Sequence, residues 1–68
     1  MYKRTWVFSL VALGFETKLF VYGTEEEVRE YMYSEFGSIP RYSGATEKEV
    51  EAAKLLKIKI YLAPDVTH

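Results

Sequence analysis

The 68-residue chain contains no cysteine, which excludes disulfide staples, zinc–thiolate centres and thiol catalysis. Its one histidine, His68, is the last residue, where a general base is poorly held, and Ser9, Ser34, Ser38 and Ser43 have no base assigned to them by any motif. No phosphate-binding loop or metal-ligand spacing occurs. The expectation is a protein that is not an enzyme and takes no cofactor. Long apolar runs are also missing. The uncharged stretch from Trp6 to Leu13 is too short to span a bilayer, and although Lys3 and Arg4 precede it, Glu16 and Lys18 follow without a small-residue cleavage site. A cytoplasmic protein without membrane association is expected. Charge of one sign is lacking too: nine Lys and Arg against ten Asp and Glu leave a net charge of −1, so no overall field draws the chain to nucleic acid.

What the chain has in plenty is aromatic surface: six tyrosines, four phenylalanines and one tryptophan. Residues 1–68 make one small domain, and below roughly 70 to 80 residues a single core seldom supplies more than about 3 to 5 kcal/mol. Rigid aromatic side chains suit both a tiny core and an interface, so a homodimer or a larger protein partner is expected.

Two copies of one helix-start signal organise the rest. In Thr24-Glu25-Glu26-Glu27 and Thr46-Glu47-Lys48-Glu49 the threonine can accept from the backbone three residues on, while the glutamate reaches back to the threonine N–H. The first helix is expected from Glu25 to about Phe36, closed by Gly37, with Val28, Tyr31, Met32 and Phe36 as its buried stripe. The second is expected over about Glu47 to Leu56, with Val50, Ala52, Ala53, Leu55 and Leu56 inward. Before them, Thr5 to Leu13 and Phe15 to Tyr22 read as a hairpin. A Gly14-Phe15 turn would pair Leu13 with Glu16 and Phe8 with Val21, placing Trp6, Phe8, Leu10, Ala12, Leu19 and Val21 on one face. Lys57 to Ala63 reads as a last strand with Ile58, Ile60 and Leu62 facing the core, and 37–45 as a long connection. The expected fold is α+β: a two-layer ββααβ sandwich with a three-stranded mixed sheet of order 2-1-3 and both helices on one face.

That arrangement leaves an open sheet face carrying Lys18, Phe20, Tyr22, Lys59 and Tyr61. A solvated face normally alternates to polar residues, and this one keeps aromatics among lysines. It is expected to bind a partner, with Arg41 and Tyr42 as a second contact from the long connection, an Arg-Tyr pair being typical of interface hot spots. Stacking of single-stranded nucleic acid on the same face is the alternative, though the aromatic motifs of RNA-recognition domains are absent. Pairing of sheet faces into a homo-oligomer is another. Eight of the ten acidic residues, Glu25, Glu26, Glu27, Glu30, Glu35, Glu47, Glu49 and Glu51, fall in the two helices, where the helix dipole favours them and where they also present a negative face.

The hairpin leading into Gly23-Thr24-Glu25-Glu26-Glu27-Val28, together with the closing Ile60-Tyr61-Leu62-Ala63-Pro64, resembles small uncharacterised proteins carried by phages and other bacterial mobile elements. Some proteins of that type inhibit host defence, anti-CRISPR proteins among them, by occupying a surface. The resemblance implies a non-catalytic inhibitor or regulator that masks a site on a larger protein.

Overall fold

The computed structural model describes residues 2–65, and His68 lies outside them. The chain runs β1 (Arg4–Ala12), β2 (Phe15–Gly23), α1 (Glu25–Phe36), β3 (Arg41–Gly44), α2 (Glu47–Leu55) and β4 (Ile60–Leu62). The α+β class is as expected, but the sheet has four strands in the order β3-β1-β2-β4. The segment expected to be a bare connection supplies β3, which pairs antiparallel with Trp6–Ser9 of β1. The last strand joins β2 in parallel, not β1, and β4 is only three residues long.

The hairpin turns on Leu13 and Gly14, both left-handed at φ 54° and 81°, and not on Gly14-Phe15. This is the pair of conformations whose twist matches that of the flanking strands. Ala12 is therefore paired with Phe15, Phe8 with Leu19 and Trp6 with Val21. Each residue of β1 meets a β2 residue two places earlier than expected. A displacement of two keeps side-chain parity, so the expected apolar face survives the change of register.

Phe8, Val21, Val28, Met32 and Ala63 form the buried cluster under α1, with Trp6, Leu10, Leu19, Tyr31, Tyr42 and Tyr61 packed around it. Of the expected α1 stripe, Val28 and Met32 are buried, Tyr31 is half-buried and Phe36 stays exposed.

The second helix does not lie beside the first. Val7, Phe20, Ala45 and Ala53, with Val50 and Ile60, form a separate cluster on the opposite face of the sheet. The sandwich therefore has three layers, and the face expected to be open is covered by α2. The cause is topological. β2, β3 and β4 share one direction and β1 opposes them. The crossover through α1 travels from β2 past β1 to β3, and that through α2 travels back across the whole sheet to β4. Two crossovers of the same hand running in opposite directions must put their helices on opposite faces.

Both capping boxes form. Thr24 Oγ1 accepts from Glu27 N–H at 3.2 Å and Glu27 Oε1 accepts from Thr24 N–H at 2.9 Å; the corresponding distances for Thr46 and Glu49 are 3.1 and 2.9 Å. Gly37, left-handed, closes α1 by donating to the Tyr33 carbonyl at 2.8 Å. At the end of α2, Lys57 takes the left-handed role at φ 59°. Ile58 N–H reaches the Ala53 carbonyl at 2.8 Å and Lys57 N–H reaches that of Lys54 at 3.1 Å, the two bonds of a Schellman closure. This closure takes Lys57 and Ile58 out of the expected strand and leaves Ala52, Leu55 and Leu56 exposed, against the expected inward arc. Ile60 turns to the α2 face, and Tyr61 with Ala63 to the α1 face. Exposed Leu62 joins neither cluster, so neither it nor Ile58 shares a core face with Ile60 as expected.

Two outcomes follow for thermal or urea unfolding. Thr24→Ala is expected to destabilise more than Thr46→Ala within the roughly 0.5–2 kcal/mol range of such caps, because Thr24 and Glu27 are the more buried pair. Phe8→Ala should cost about 3 to 5 kcal/mol, enough to abolish the cooperative transition of so small a core.

Candidate protein-binding surface

Tyr42 sits directly across from Phe8 in the β1–β3 pairing, so their rings share the α1 face. They stack at 5.0 Å between centroids, and Trp6 meets Tyr42 edge-on at 5.8 Å. The Tyr42 hydroxyl donates to Glu25 Oε2 at 2.7 Å, tying β3 to the first turn of α1. Trp6 Nε1 donates to the Gly23 carbonyl at 3.0 Å, and the Arg4 guanidinium lies 5.3 Å from the Trp6 ring centre. Arg4 reaches that position over Gly44: a Cβ on Gly44 would fall 2.6 Å from the guanidinium. These contacts make Tyr42 a structural aromatic, half-buried and hydrogen-bonded.

Arg41, its neighbour on a strand, necessarily points to the other face. The expected Arg41–Tyr42 contact is therefore divided between two faces. The sheet residues are divided as well. Phe20 is 7% exposed beneath α2, Tyr22 and Lys18 lie on that same face with their side chains partly or wholly exposed, and Tyr61 belongs to the α1 face with the Lys59 ammonium 4.9 Å from its ring centre. Lys18, Phe20, Tyr22, Arg41, Tyr42, Lys59 and Tyr61 do not compose one surface. Apart from buried Glu27 and half-buried Glu49, which cap the helix starts, the acidic side chains of α1 and α2 are exposed on opposite sides of the molecule. Along α1, Glu25, Glu26, Glu30, Arg29, Tyr33 and Ile39 line a shallow groove of about 430 Å³.

Another surface emerges at the turn end of the sheet. β3 and β4 pair only with the lower parts of β1 and β2, so the hairpin continues past both as a two-stranded arm. At its tip Leu13 is 97% exposed and Phe15 75%, and Val11 is also exposed. The C-terminal end of α2 lies at the same end of the molecule, bringing exposed Leu55, Leu56 and Ile58. Between them is a groove of about 460 Å³ whose lining includes Thr17, Lys18, Phe20, Ala52, Leu56 and Ile58. The sequence carried one signal for this arm, an apolar residue on each side of Gly14, where hairpin turns ordinarily take Asn-Gly or Asp-Gly. Among the described residues no group of three or more His, Asp or Glu side chains converges to hold a metal. Nor is any described helix long and apolar enough to cross a membrane.

No family model matches the chain, and comparison with curated proteins and with solved structures finds no match.

The hydrogen bond to Glu25 and partial burial favour the neutral phenol of Tyr42 and raise its pKa above the ordinary tyrosine value. A raised pKa means that the stabilisation is complete below the unfolded-state value and is lost as pH rises through the folded one. In ultraviolet titration two phenols are expected to ionise late, Tyr42 and Tyr31, the latter raised by burial and by nearby Glu35, and Tyr42→Phe should remove the Tyr42 share of that late phase. A late phase of undiminished amplitude in Tyr42→Phe would contradict the Tyr42–Glu25 pairing.

Proposed function

We propose that the chain is a non-catalytic protein-binding module that acts stoichiometrically on a larger protein, in the manner of mobile-element inhibitors, and that its hairpin arm is the binding element. The observation that supports this most directly is Leu13. A left-handed conformation costs a leucine on the order of 1 kcal/mol that glycine or asparagine would avoid, and its side chain gains no burial in return. Local choices that oppose the fold without a compensating gain are expected at functional positions. Val11 on the α2 side of the arm, beside Leu55 and Leu56 from α2, and Phe15 on its α1 side give both faces of the apolar end exposed surface suited to a partner's hydrophobic groups. Single-stranded nucleic acid would need an open sheet face for stacking, and α2 covers Val7 and Phe20 where that platform was expected.

Leu13→Asn separates fold from function. It should raise the unfolding midpoint, by about 1 kcal/mol of relieved strain. In affinity capture from a bacterial lysate treated with nuclease, the same variant and Phe15→Ser should lose about tenfold or more of the captured partner. Undiminished capture by both variants would remove the arm from the binding site. Capture that depends on nucleic acid and falls steeply with salt would replace the protein-binding reading by the nucleic-acid one.

A further inference from the structure

The outer edge of β2 is only half occupied. β4 pairs with Phe20–Tyr22, and among the described residues no strand lies beside Phe15–Leu19. Which backbone groups are left open follows from the turn. Ala12 and Phe15 flank a two-residue loop and exchange hydrogen bonds, as then do Leu10 with Thr17 and Phe8 with Leu19. The intervening residues Glu16, Lys18, Phe20 and Tyr22 turn their N–H and C=O groups away from β1. The Tyr22 carbonyl accepts from Ala63 N–H at 2.9 Å on that outer side, in agreement with this parity. β4 takes up Phe20 and Tyr22, whereas Glu16 and Lys18 keep an open edge.

The sequence along that edge is self-complementary. Reversed about Thr17, Phe15-Glu16-Thr17-Lys18-Leu19 sets Phe15 against Leu19, Glu16 against Lys18 and Thr17 against Thr17 of a second copy. All three are favourable cross-strand pairs. The two residues with outward backbone groups also fall opposite each other, so both Glu16–Lys18 pairs are bonded pairs that exchange N–H···O=C bonds. The adjacent bonded registers oppose Glu16 to Glu16 or Lys18 to Lys18 and are penalised by like charge. A lysine on an edge ordinarily discourages pairing, but here its charge is answered in one register and only by the same edge of another copy. The other edges offer less: past β3 the β1 edge has only Val11 with outward backbone groups, and the outermost strands are short. β3 is four residues long and follows Pro40; β4 is three residues long and is followed by Pro64.

We propose that two copies of this chain associate about a two-fold axis through antiparallel pairing of Phe15–Leu19, joining their hairpins into one continuous sheet. This rests on the reading of the arm as a binding element and names a second copy as its occupant. Phe15 of each copy then packs beside Leu19 of the other on the α1 face, while the Glu16–Lys18 pairs lie on the α2 face. The groove beside Thr17, Lys18 and Leu56 leaves room for the added strand's side chains.

Charge reversal tests the register. In sedimentation equilibrium of the full chain up to millimolar concentration, the natural sequence is expected to reach twice the monomer mass. Glu16→Lys and Lys18→Glu should each weaken association by about tenfold or more, since by symmetry each turns two attractive pairs into repulsive ones. An equimolar mixture of the two variants should restore it, because every facing pair in the mixed dimer again carries opposite charges. Both side chains are exposed, so the fold should tolerate either change. Amide exchange gives a second readout: protection at Glu16 and Lys18 should rise with concentration, while Thr17, bonded to Leu10, stays protected throughout. A monomer mass at millimolar concentration, or single variants that associate as strongly as the natural sequence, would overturn the dimer. If that happens while Leu13→Asn still weakens capture of another protein, the arm remains the binding element and only its occupant is wrong. If the charge-reversal pattern appears while capture ignores Leu13, the dimer stands and the tip reading falls.

Discussion

A two-residue left-handed turn at Leu13-Gly14 sets the geometry on which the other elements depend. By pairing Ala12 with Phe15 it decides which residues of β1 and β2 face each other, and therefore which backbone groups point toward neighbouring strands. The Thr5 carbonyl then points outward to accept from Ala45 N–H beside β3, and the Tyr22 carbonyl points outward to accept from Ala63 N–H beside β4. Had one strand slipped by a single residue, its outward acceptor would point inward and its apolar set would move to the face opposite its partner's. The hairpin is also the longest pairing in the molecule, and both short strands use it as their template.

Such a small sheet can be covered on both faces because each helix has little to cover. The α1 face holds the larger side chains, Phe8, Val21, Trp6 and Tyr42, and takes Val28 and Met32 from the helix. The α2 face is thinner and is met by Ala53 and Val50, whose short side chains allow close approach. Covering two faces with few apolar residues leaves little net stability. Local devices matter more in consequence: the reciprocal caps at both helix starts, the Schellman closure at Lys57, and the Lys3 ammonium 2.7 Å from Asp65 and 3.9 Å from Glu27, which links the start of the chain to the segment after β4.

How much of this was legible in the sequence depended on the range of the interaction. The capping boxes and the Gly37 closure act within a few residues and could be read directly. The apolar face of the hairpin was legible even though its register was not, because the error of two residues preserved parity. β3 left almost no trace, since Arg41-Tyr42-Ser43-Gly44 is too short to show a period and gains its stability from the β1 edge. The side of the sheet taken by α2 was illegible for a deeper reason. It follows from the direction in which the chain crosses between strands, and that direction depends on the strand that was missed. The expected binding face failed with it, since Phe20 is an open-face anchor only if α2 lies elsewhere. Leu13 was visible as a residue but not as a signal until the turn was known to place it, and not Phe15, in the left-handed region.

The arm unites three features that the rest of the fold does not need. A shorter hairpin ending near Leu10 and Leu19 would still provide the strands that β3 and β4 pair with, because those contacts stop at Ser9 and begin again at Phe20. The extension beyond them adds a strained leucine, an exposed phenylalanine and an unpaired edge, each unfavourable or neutral for an isolated molecule. Its strand residues are nevertheless ordered by the same ladder that holds the core, so a partner meeting the arm meets a preformed surface. Preorganisation lowers the entropy lost on binding and suits a chain with little stability to spend on folding upon contact. The proposed capacity to bind therefore lies on a continuation of the central hairpin, where strain at the turn can persist without loosening either core.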